Sequence, residues 1–269
     1  MHKNNKKNKN NKDMTEIIYG KNTCFGCIEG YKNGIRNRSI YAIYILQNKF
    51  DEFYKKIPND LRHLVQKVNN HDMFVYTHEQ DKHQGIALKV SKFQFLNIDE
   101  LIDKCAIIYE KQKHCSLFLL DEVQDPHNVG NIIRSAFCFN VNGIILTEKN
   151  SCDITPAVVR TSVGYSEQSL ICKAGNLAFS IEKLKKNGFL IIGFDVNTNT
   201  KDDLTKVVQN NKKCVFIFGS EGFGMRELTK KNCDLIIKLP MRKEAESLNV
   251  ATTTAVVGWE ITKNLENNK

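Results

Sequence analysis

Residues 214–224 read CVFIFGSEGFG, five apolar residues followed by a turn that holds three glycines. An apolar run of this length predicts a strand buried on both faces, and the glycines let the backbone at its end approach a ligand. Similar runs occur at 117–120, 143–146, 189–194 and 235–239, with helical patterns between them. Such alternation predicts an α/β domain in which helices cover both faces of a parallel sheet.

The N-terminal part of the chain predicts a smaller α/β domain behind a basic tail. Residues 1–13 are Lys and Asn apart from Met1, His2 and Asp13, a composition typical of disorder. Short apolar and helical patterns then follow one another. They predict strands at 39–46, 73–77 and 85–90 and helices at 50–56 and 60–68.

A polar stretch separates the two predicted domains. Residues 94–113 are polar, with a helical pattern only near 98–109. We therefore predict four segments: a disordered basic tail at 1–15, a small α/β domain at 16–93, a linker at 94–113 and the larger α/β domain at 114–269.

Positive charge is concentrated in the first part of the chain. Residues 1–93 contain 17 Lys and Arg against 9 Asp and Glu, whereas residues 94–269 contain 22 against 21. A solvated tail explains some of this excess, because five lysines lie within residues 1–13. The excess that remains beyond the tail favours a polyanionic partner such as RNA or DNA.

Several classes of protein are disfavoured. No apolar run reaches the ~20 residues of a transmembrane helix, and the basic N-terminus lacks the apolar core of a secretory signal. The nine cysteines are odd in number and show no repeated spacing, which is typical of reduced thiols in a cytoplasmic protein. Cys24 and Cys27 have the spacing of half a zinc site, but no second Cys or His pair matches it, so no metal is expected.

The segment after the predicted strand at 117–120 reads DEVQDPHNVGNIIR, residues 121–134. Pro126 keeps the strand from continuing, and Asn128 is predicted to cap the next helix. Arg134 stands among apolar residues of that helix, where an arginine either extends to water or binds an anion such as phosphate. Both interpretations of Arg134 remain open on spacing alone.

Two further segments follow strands at the sheet edge where open α/β domains bind ligands. The glycine order at 219–224 is G-x-x-G-x-G, which is not the dinucleotide-binding fingerprint, so a nucleotide-dependent oxidoreductase is disfavoured. Residues 238–250, KLPMRKEAESLNV, leave a strand at Pro240 and offer Ser247 or Asn249 as the cap of the last helix. The alternative interpretations are that residues 219–224 form an ordinary turn and that residues 238–250 supply an ordinary helix cap, with no ligand bound at either segment.

Taken together, these segments resemble the signature motifs of the SpoU (also called TrmH) family of RNA 2′-O-methyltransferases, which belongs to the SPOUT class. The first motif, N-x-G-x-x-x-R, matches Asn128, Gly130 and Arg134. The second motif, G-x-E-G-x-G-M, matches Gly219, Glu221, Gly222, Gly224 and Met225. The third motif matches Pro240-Met241 and Ser247-Leu248-Asn249-Val250. Residues 17–30 and 83–86 also resemble the N-terminal domain of the ribosomal-RNA branch, so the resemblance extends over residues 16–265.

The resemblance implies a fold and a reaction. The fold would be a C-terminal SPOUT domain with a parallel sheet and a trefoil knot, preceded by a small α/β domain that binds RNA. The enzyme would transfer a methyl group from S-adenosylmethionine to a ribose 2′-hydroxyl, in this branch that of a guanosine in 23S (large-subunit) rRNA. It would form a homodimer with active sites at the subunit interface. An apolar stripe on the last helix suits either that interface or the core: Val250, Ala255, Val256 and Trp259.

The resemblance also implies roles for individual residues. The positions that match the family's cofactor contacts are Gly219, Leu239, Met241 and Leu248. Arg134 matches the arginine that serves in the family as proton acceptor or hydroxyl activator, and because arginine stays protonated we predict that it binds phosphate and polarises the hydroxyl. Asn128 and Glu221 would position Arg134 and the loops, and Asn249 would complete the pocket.

One departure from the family leaves alternatives open. Ala251 stands where many members carry a serine after the third motif. A tRNA ribose methyltransferase is the closest alternative, although those enzymes commonly carry helical extensions in place of the domain at 16–93. A non-catalytic RNA-binding or ribosome-assembly protein is the second alternative, and Ala251 leaves room for it.

Overall fold

The computed structural model divides the chain into two units. It describes residues 15–35, 37–78, 82–198, 202–222, 224–242 and 244–267. The N-terminal unit comprises Met1–Gln94 and Ile154–Gln168, and the C-terminal unit comprises Phe95–Asp153 and Ser169–Lys269. The predicted tail at 1–15 lies outside the described residues except for Thr15, which begins a strand.

The N-terminal unit is built on a four-stranded mixed sheet. Its strands are β1 (Thr15–Tyr19), β2 (Ile40–Leu46), β3 (Val65–Val68) and β4 (Ile86–Ser91). Their spatial order is β1-β4-β2-β3, with β3 parallel to β2 and the other pairs antiparallel. Its α-helices are Lys21–Lys32, Phe50–Tyr54, Asn70–Thr77 and Pro156–Thr161.

Two predictions for this unit are wrong. The predicted strand at 73–77 lies in helix Asn70–Thr77, because the Asn69 side chain caps the helix by accepting from the Asp72 backbone N–H at 2.9 Å. The predicted helix at 60–68 is a 3₁₀ turn that leads into β3. Pairing with β2 satisfies backbone N–H and C=O groups of β3. In a helix, the same groups would have bonded to each other.

A buried arginine joins the two sequence segments of the N-terminal unit. The Arg38 side chain is fully buried, and its Nε donates to Glu167 Oε1 at 2.9 Å. Its two terminal nitrogens donate to Glu16 and to the carbonyl oxygens of Ser91 (2.7 Å) and Ile154 (3.0 Å). Burial raises the pKa of the Glu167 carboxyl, and the Arg38 guanidinium opposes that rise. Segment Ile154–Gln168 is thereby fixed to the sheet.

Glycines allow the same segment to contact helix Lys21–Lys32 directly. A Cβ added at Gly26 would lie 2.6 Å from the Gly164 carbonyl oxygen, and one at Gly30 would lie 2.2 Å from that of Glu167. Since real Cβ atoms do not approach backbone this closely, any side chain at these positions would push the helix away.

The C-terminal unit contains the predicted parallel sheet. Its strands are β5 (Cys115–Asp121), β6 (Gly143–Thr147), β7 (Ile171–Ala174), β8 (Leu190–Phe194), β9 (Lys213–Gly219) and β10 (Leu235–Ile237). All five strand pairs are parallel, in the order β10-β8-β9-β5-β6-β7. The α-helices are Ile98–Gln112, Pro126–Cys138, Leu177–Lys186, Leu204–Asn210, Glu227–Lys231 and Val250–Asn267. The α/β prediction is confirmed.

The segment predicted as a linker at 94–113 contains a core helix. Helix Ile98–Gln112 starts with a capping box between Asn97 and Glu100, and its residues Leu101 and Cys105 are buried in the core of the C-terminal unit. The helical pattern predicted near 98–109 is confirmed, and its apolar face packs into the core although the segment as a whole is polar. Among the described residues, no helix has both the length and the apolar character needed to span a membrane.

We expect Arg38→Met to lower the free energy of unfolding by about 3–5 kcal/mol, because Glu167 is left as an unpaired buried carboxylate. Urea unfolding at pH 7 followed by circular dichroism measures this. The double variant R38M/E167L should recover much of the loss. The matched control, Lys32→Met, removes an exposed ion pair to Glu29 (3.2 Å) and should cost less than about 1 kcal/mol. Equal losses in Arg38→Met and the control would contradict a central role for Arg38.

Candidate active site

A cavity lies at the carboxyl ends of β8, β9 and β10 in the C-terminal unit. This first cavity has a volume of about 420 Å³, within the range of small-molecule sites. The strand ends contribute apolar walls, and the loops after β9 and β10 contribute polar groups. Its lining includes Phe194, Asp195, Phe218, Gly219, Glu221, Lys230, Leu239, Met241, Leu248 and Asn249.

The glycine-rich turn after β9 forms one wall. Ser220 and Gly224 exchange two backbone hydrogen bonds, at 3.1 and 3.0 Å, which fold the turn back on itself. A Cβ at Gly219 would lie 2.0 Å from the Gly224 carbonyl carbon, so the turn can close only if residue 219 has no side chain. The closed turn brings the backbone of Gly219, Gly222 and Gly224 to the cavity lining.

Three side chains from three distant segments meet beside this wall. Asn128 Nδ2 and Asn249 Nδ2 both donate to Glu221 Oε1 at 2.6 Å. Asn249 Nδ2 also lies 3.1 Å from Asn128 Oδ1. We call these residues the Asn-Glu-Asn cluster. It holds the three sequence motifs together in space.

Asn249 serves the cluster and the last helix at once. Its Oδ1 accepts from the backbone N–H groups of Ala251 (2.9 Å) and Thr252 (3.3 Å), so it caps helix Val250–Asn267. Of the two caps predicted from the sequence, Asn249 is the one observed.

The predicted cap at Asn128 is wrong. Helix Pro126–Cys138 begins one turn earlier, and Asp125 caps it by accepting from the His127 backbone N–H at 2.9 Å. Pro126, which lacks an N–H to satisfy, suits the first helical position. Asn128 is instead a buried residue of the first turn, and its amide faces Glu221.

An ion pair that lies outside the three sequence motifs also lines the cavity. Lys230 Nζ lies 2.6 Å from Asp195 Oδ2. Burial disfavours the charged form of Asp195, but hydrogen bonds from Lys230 and the Asn197 backbone lower the pKa of its carboxyl below the ordinary value. The available signal was position, because Asp195 directly follows a predicted strand at the edge where ligands bind.

The structure gathers most of the predicted site residues. Those predicted to contact the cofactor all line the first cavity: Gly219, Leu239, Met241 and Leu248. Glu221 and Asn249 line it as well, and Asn128 contacts both. Arg134 is the exception. It is exposed, lies outside this lining, and makes no hydrogen bond or ion pair with the described residues.

The two cysteines considered as half a zinc site are buried in the N-terminal unit. The Cys24 thiol donates to the carbonyl oxygens of Ile18 (3.7 Å) and Ile86 (3.6 Å), and burial raises the pKa of the Cys24 and Cys27 thiols. Within the part of the chain that the structure describes, no three His, Cys, Asp or Glu side chains are grouped to hold a metal ion.

Comparison with protein families identifies both units. Residues 116–259 match the SpoU rRNA Methylase family, and residues 17–96 match the RNA 2′-O ribose methyltransferase substrate binding family. The chain belongs to the SpoU rRNA methylase family. It is therefore an S-adenosylmethionine-dependent RNA methyltransferase that acts on ribose 2′-hydroxyls.

Relatives and solved structures agree with this assignment. The 23S rRNA (guanosine-2′-O-)-methyltransferase RlmB of Coxiella burnetii is 28% identical over 93% of this chain and 96% of its own. The TrmH family protein YacO of Bacillus subtilis is 31% identical over 67% of this chain and 70% of its own.

Two crystal structures share the fold. The SpoU methyltransferase AviRb of Streptomyces viridochromogenes superposes with a TM-score of 0.75 at 16% identity, covering 97% of this chain and 94% of that chain. An AdoMet-bound rRNA methyltransferase of Sinorhizobium meliloti gives 0.73 at 20% identity, covering 96% of this chain and 91% of that chain. The predicted SPOUT-type α/β fold is confirmed, whereas the trefoil knot stays a prediction.

The first cavity fits S-adenosylmethionine chemically. Leu239 and Leu248 offer apolar surface for the adenine, and the closed turn at Gly219 offers backbone groups. The Glu221 carboxylate complements the cationic sulfonium and ammonium groups, whereas the charge of Asp195 is offset by its ion pair with Lys230. When bound, the cofactor supplies a methyl carbon made electrophilic by the positive sulfur.

We expect Gly219→Ala to weaken S-adenosylmethionine binding at least about tenfold, or about 1.4 kcal/mol, because the added methyl group forces the turn open. Isothermal titration calorimetry measures the affinity. The control is Gly188→Ala, remote from the cavity, where an added Cβ meets nothing within 4 Å but the backbone φ of +81° is strained. It should lower stability and leave the affinity unchanged. Unaltered binding by Gly219→Ala would show that the turn does not form the cofactor site.

Proposed function

We propose that this protein methylates the 2′-hydroxyl of one guanosine in 23S rRNA, in the cytoplasm and as a homodimer. The observation that carries the reaction is the Asn-Glu-Asn cluster, which unites the three motifs at a cavity suited to the cofactor. The choice of RNA is supported by RlmB of Coxiella burnetii, because the similarity spans nearly the whole of both chains, including the substrate-binding unit.

Arg134 supplies the step that the cavity of a single copy lacks. A ribose hydroxyl is a poor nucleophile, and its oxygen must lose a proton as it attacks the methyl carbon. The permanently protonated guanidinium of Arg134 donates hydrogen bonds to that oxygen and to a neighbouring phosphate, so the proton leaves to water more easily. The Asn-Glu-Asn cluster keeps the loops in place, so that hydroxyl, methyl and sulfur are held in line.

The homodimer brings Arg134 of one copy to the first cavity of the other. Helices Pro126–Cys138 and Val250–Asn267 pack together and expose large apolar side chains: Phe137, Val256 and Trp259. Leu248, which lines the cavity, is also 41% exposed in one copy. An interface formed by these helices buries their exposed apolar side chains and Leu248. It also brings Arg134 of the other copy to the cavity.

The N-terminal unit presents cations and aromatic rings suited to RNA. Around the exposed Glu52, Lys21, Lys49 and Lys56 lie within 3.6–3.8 Å of its carboxylate. Arg62 lies 5.1 Å from the Tyr54 ring and Lys67 lies 5.0 Å from the Phe50 ring, so this unit also places cationic groups beside aromatic rings. Lysines and arginines neutralise phosphates, and rings stack on unpaired bases.

A tRNA substrate is the second candidate. YacO of Bacillus subtilis is named as a tRNA/rRNA methyltransferase and matches part of this chain more closely than RlmB does. The match to the substrate-binding family over residues 17–96 favours the RlmB-like assignment. The first experiment below separates the two candidates from each other and from a non-catalytic binder.

Ribose-methylation mapping of rRNA and tRNA from cells with and without the gene tests the proposal. We expect one 2′-O-methylguanosine of 23S rRNA to disappear without the gene and to return with the wild-type gene. Arg134→Ala should not restore it, because a positioned group contributes about 10²–10⁴-fold to such a step. Lys186→Ala, which alters an exposed ion pair to Glu182 (2.7 Å), should restore it fully. A mark lost only from tRNA would replace the proposed substrate, and no lost mark would favour the non-catalytic alternative.

Trp259→Glu tests the dimer. Because Trp259 is 56% exposed, a charge there is harmless to the fold of one copy but opposes burial in an interface. We expect the variant to sediment as a monomer, to keep its affinity for S-adenosylmethionine and to lose methyl transfer. The matched control is Ile107→Glu, at a residue 53% exposed on helix Ile98–Gln112, which should remain dimeric and active. A monomeric wild type, or a dimeric Trp259→Glu variant, would rule out this interface.

A further inference from the structure

A second cavity of about 340 Å³ lies in the C-terminal unit beyond the ends of β6 and β7. Because all strands of this sheet are parallel, it opens at the same edge as the first cavity. One wall is apolar and is formed by Leu177, Ile181 and Leu228. The rest is polar and includes Lys149, Asn176, Arg226 and Asn232. No step of the reaction described above uses these residues.

The planar guanidinium of Arg226, which lines this cavity, is paired with two carboxylates. Its two terminal nitrogens contact Asp121 Oδ1 at 2.6 Å and Glu122 Oε1 at 2.9 Å. The Asp121 carboxylate also accepts from the Arg226 backbone N–H at 3.2 Å. The side chain remains 46% exposed although both terminal nitrogens are paired with carboxylates. Two carboxylates offset its charge, which makes it a better stacking surface for a base than a clamp for phosphate.

The residue that holds Arg226 is itself strained. Glu122 has a φ of 61°, in the left-handed region that side chains other than glycine rarely adopt. Its backbone N–H donates to Thr147 Oγ1 at 3.3 Å, and its Oε1 accepts from Asn150 Nδ2 at 3.2 Å. Strain of this kind persists where surrounding contacts fix the geometry, and such residues concentrate at ligand sites.

The opposite side of the cavity combines apolar surface with two amides. Leu228 is 65% exposed, although a leucine gains by burial. Asn232 Nδ2 donates to the Leu228 carbonyl oxygen at 2.8 Å, which leaves its Oδ1 to accept. Asn176 Oδ1 accepts from the Phe179 backbone N–H at 3.1 Å, which leaves its Nδ2 to donate. An acceptor and a donor beside flat apolar surface match the edge and faces of an unpaired base.

We propose that the second cavity binds an unstacked base of the RNA substrate, close to the nucleotide that is methylated. The base lies between the Arg226 plane and Leu228, Asn176 and Asn232 contact its edge, and the exposed Lys149 faces its phosphate. Gly224 lines the first cavity and Arg226 the second, so the Cα atoms of these two lining residues are at most ~7 Å apart. This inference rests on RNA being the substrate, as proposed above.

The test measures RNA affinity separately from catalysis. Ala178→Trp fills the cavity from helix Leu177–Lys186, and Leu228→Asp removes its apolar wall at a position too exposed to affect folding. Each should raise the Kd for a 23S rRNA fragment about tenfold, the effect of losing one stacked base, as measured by fluorescence anisotropy. Affinity for S-adenosylmethionine and the melting temperature should stay unchanged in Leu228→Asp. The matched control is Ala106→Trp, on an exposed position of helix Ile98–Gln112, which should leave all three unchanged.

Each alternative result has a definite meaning. Wild-type RNA affinity in Leu228→Asp and Ala178→Trp would overturn the inference, as would equal losses in these variants and in Ala106→Trp. Binding of free guanosine monophosphate that both variants abolish, with RNA affinity unchanged, would make this a small-molecule site and also overturn it. If the wild type methylates no RNA but the variants still bind RNA more weakly, the proposed reaction fails while this inference stands.

Discussion

The C-terminal unit depends on the hydrogen bonds that the Glu221 carboxylate accepts. One of its oxygens accepts from Asn128 and from Asn249, which lie 121 residues apart in sequence. Because Asn249 also caps the last helix, the same contact sets where that helix begins and where the loop after β10 lies. The first cavity, the helix start and the first motif are therefore positioned together.

The closed glycine-rich turn connects the linings of the two cavities. On one side its backbone lines the first cavity, and directly after it Arg226 lines the second. Asp121, at the end of β5, is buried and pairs with Arg226. A core strand therefore holds the Arg226 side chain that lines the second cavity. A cofactor site and a base site can share one sheet edge because every strand of that sheet runs in the same direction.

The N-terminal unit depends on a contact that is remote in sequence. Arg38 and Glu167 lie 129 residues apart, and their buried pairing draws Ile154–Gln168 into this unit although its sequence neighbours belong to the other. Close approach at Gly26 and Gly30 reinforces the same placement. A domain boundary predicted between residues 93 and 114 assumes that each domain is continuous in sequence. Local composition gives no sign that Ile154–Gln168 packs with the N-terminal unit.

The sequence by itself determined the parallel sheet, the strand-end position of the three motifs and several of the residues that line the first cavity. Buried parallel strands are continuously apolar, and ligand-binding loops must follow their carboxyl ends. Only the tertiary structure decided that Asn128 meets Glu221 instead of capping a helix, that Asp195 and Lys230 line the cavity, and that Arg134 lies outside it in one copy. Periodicity and capping are local properties, whereas these contacts join residues that only the folded sheet brings together.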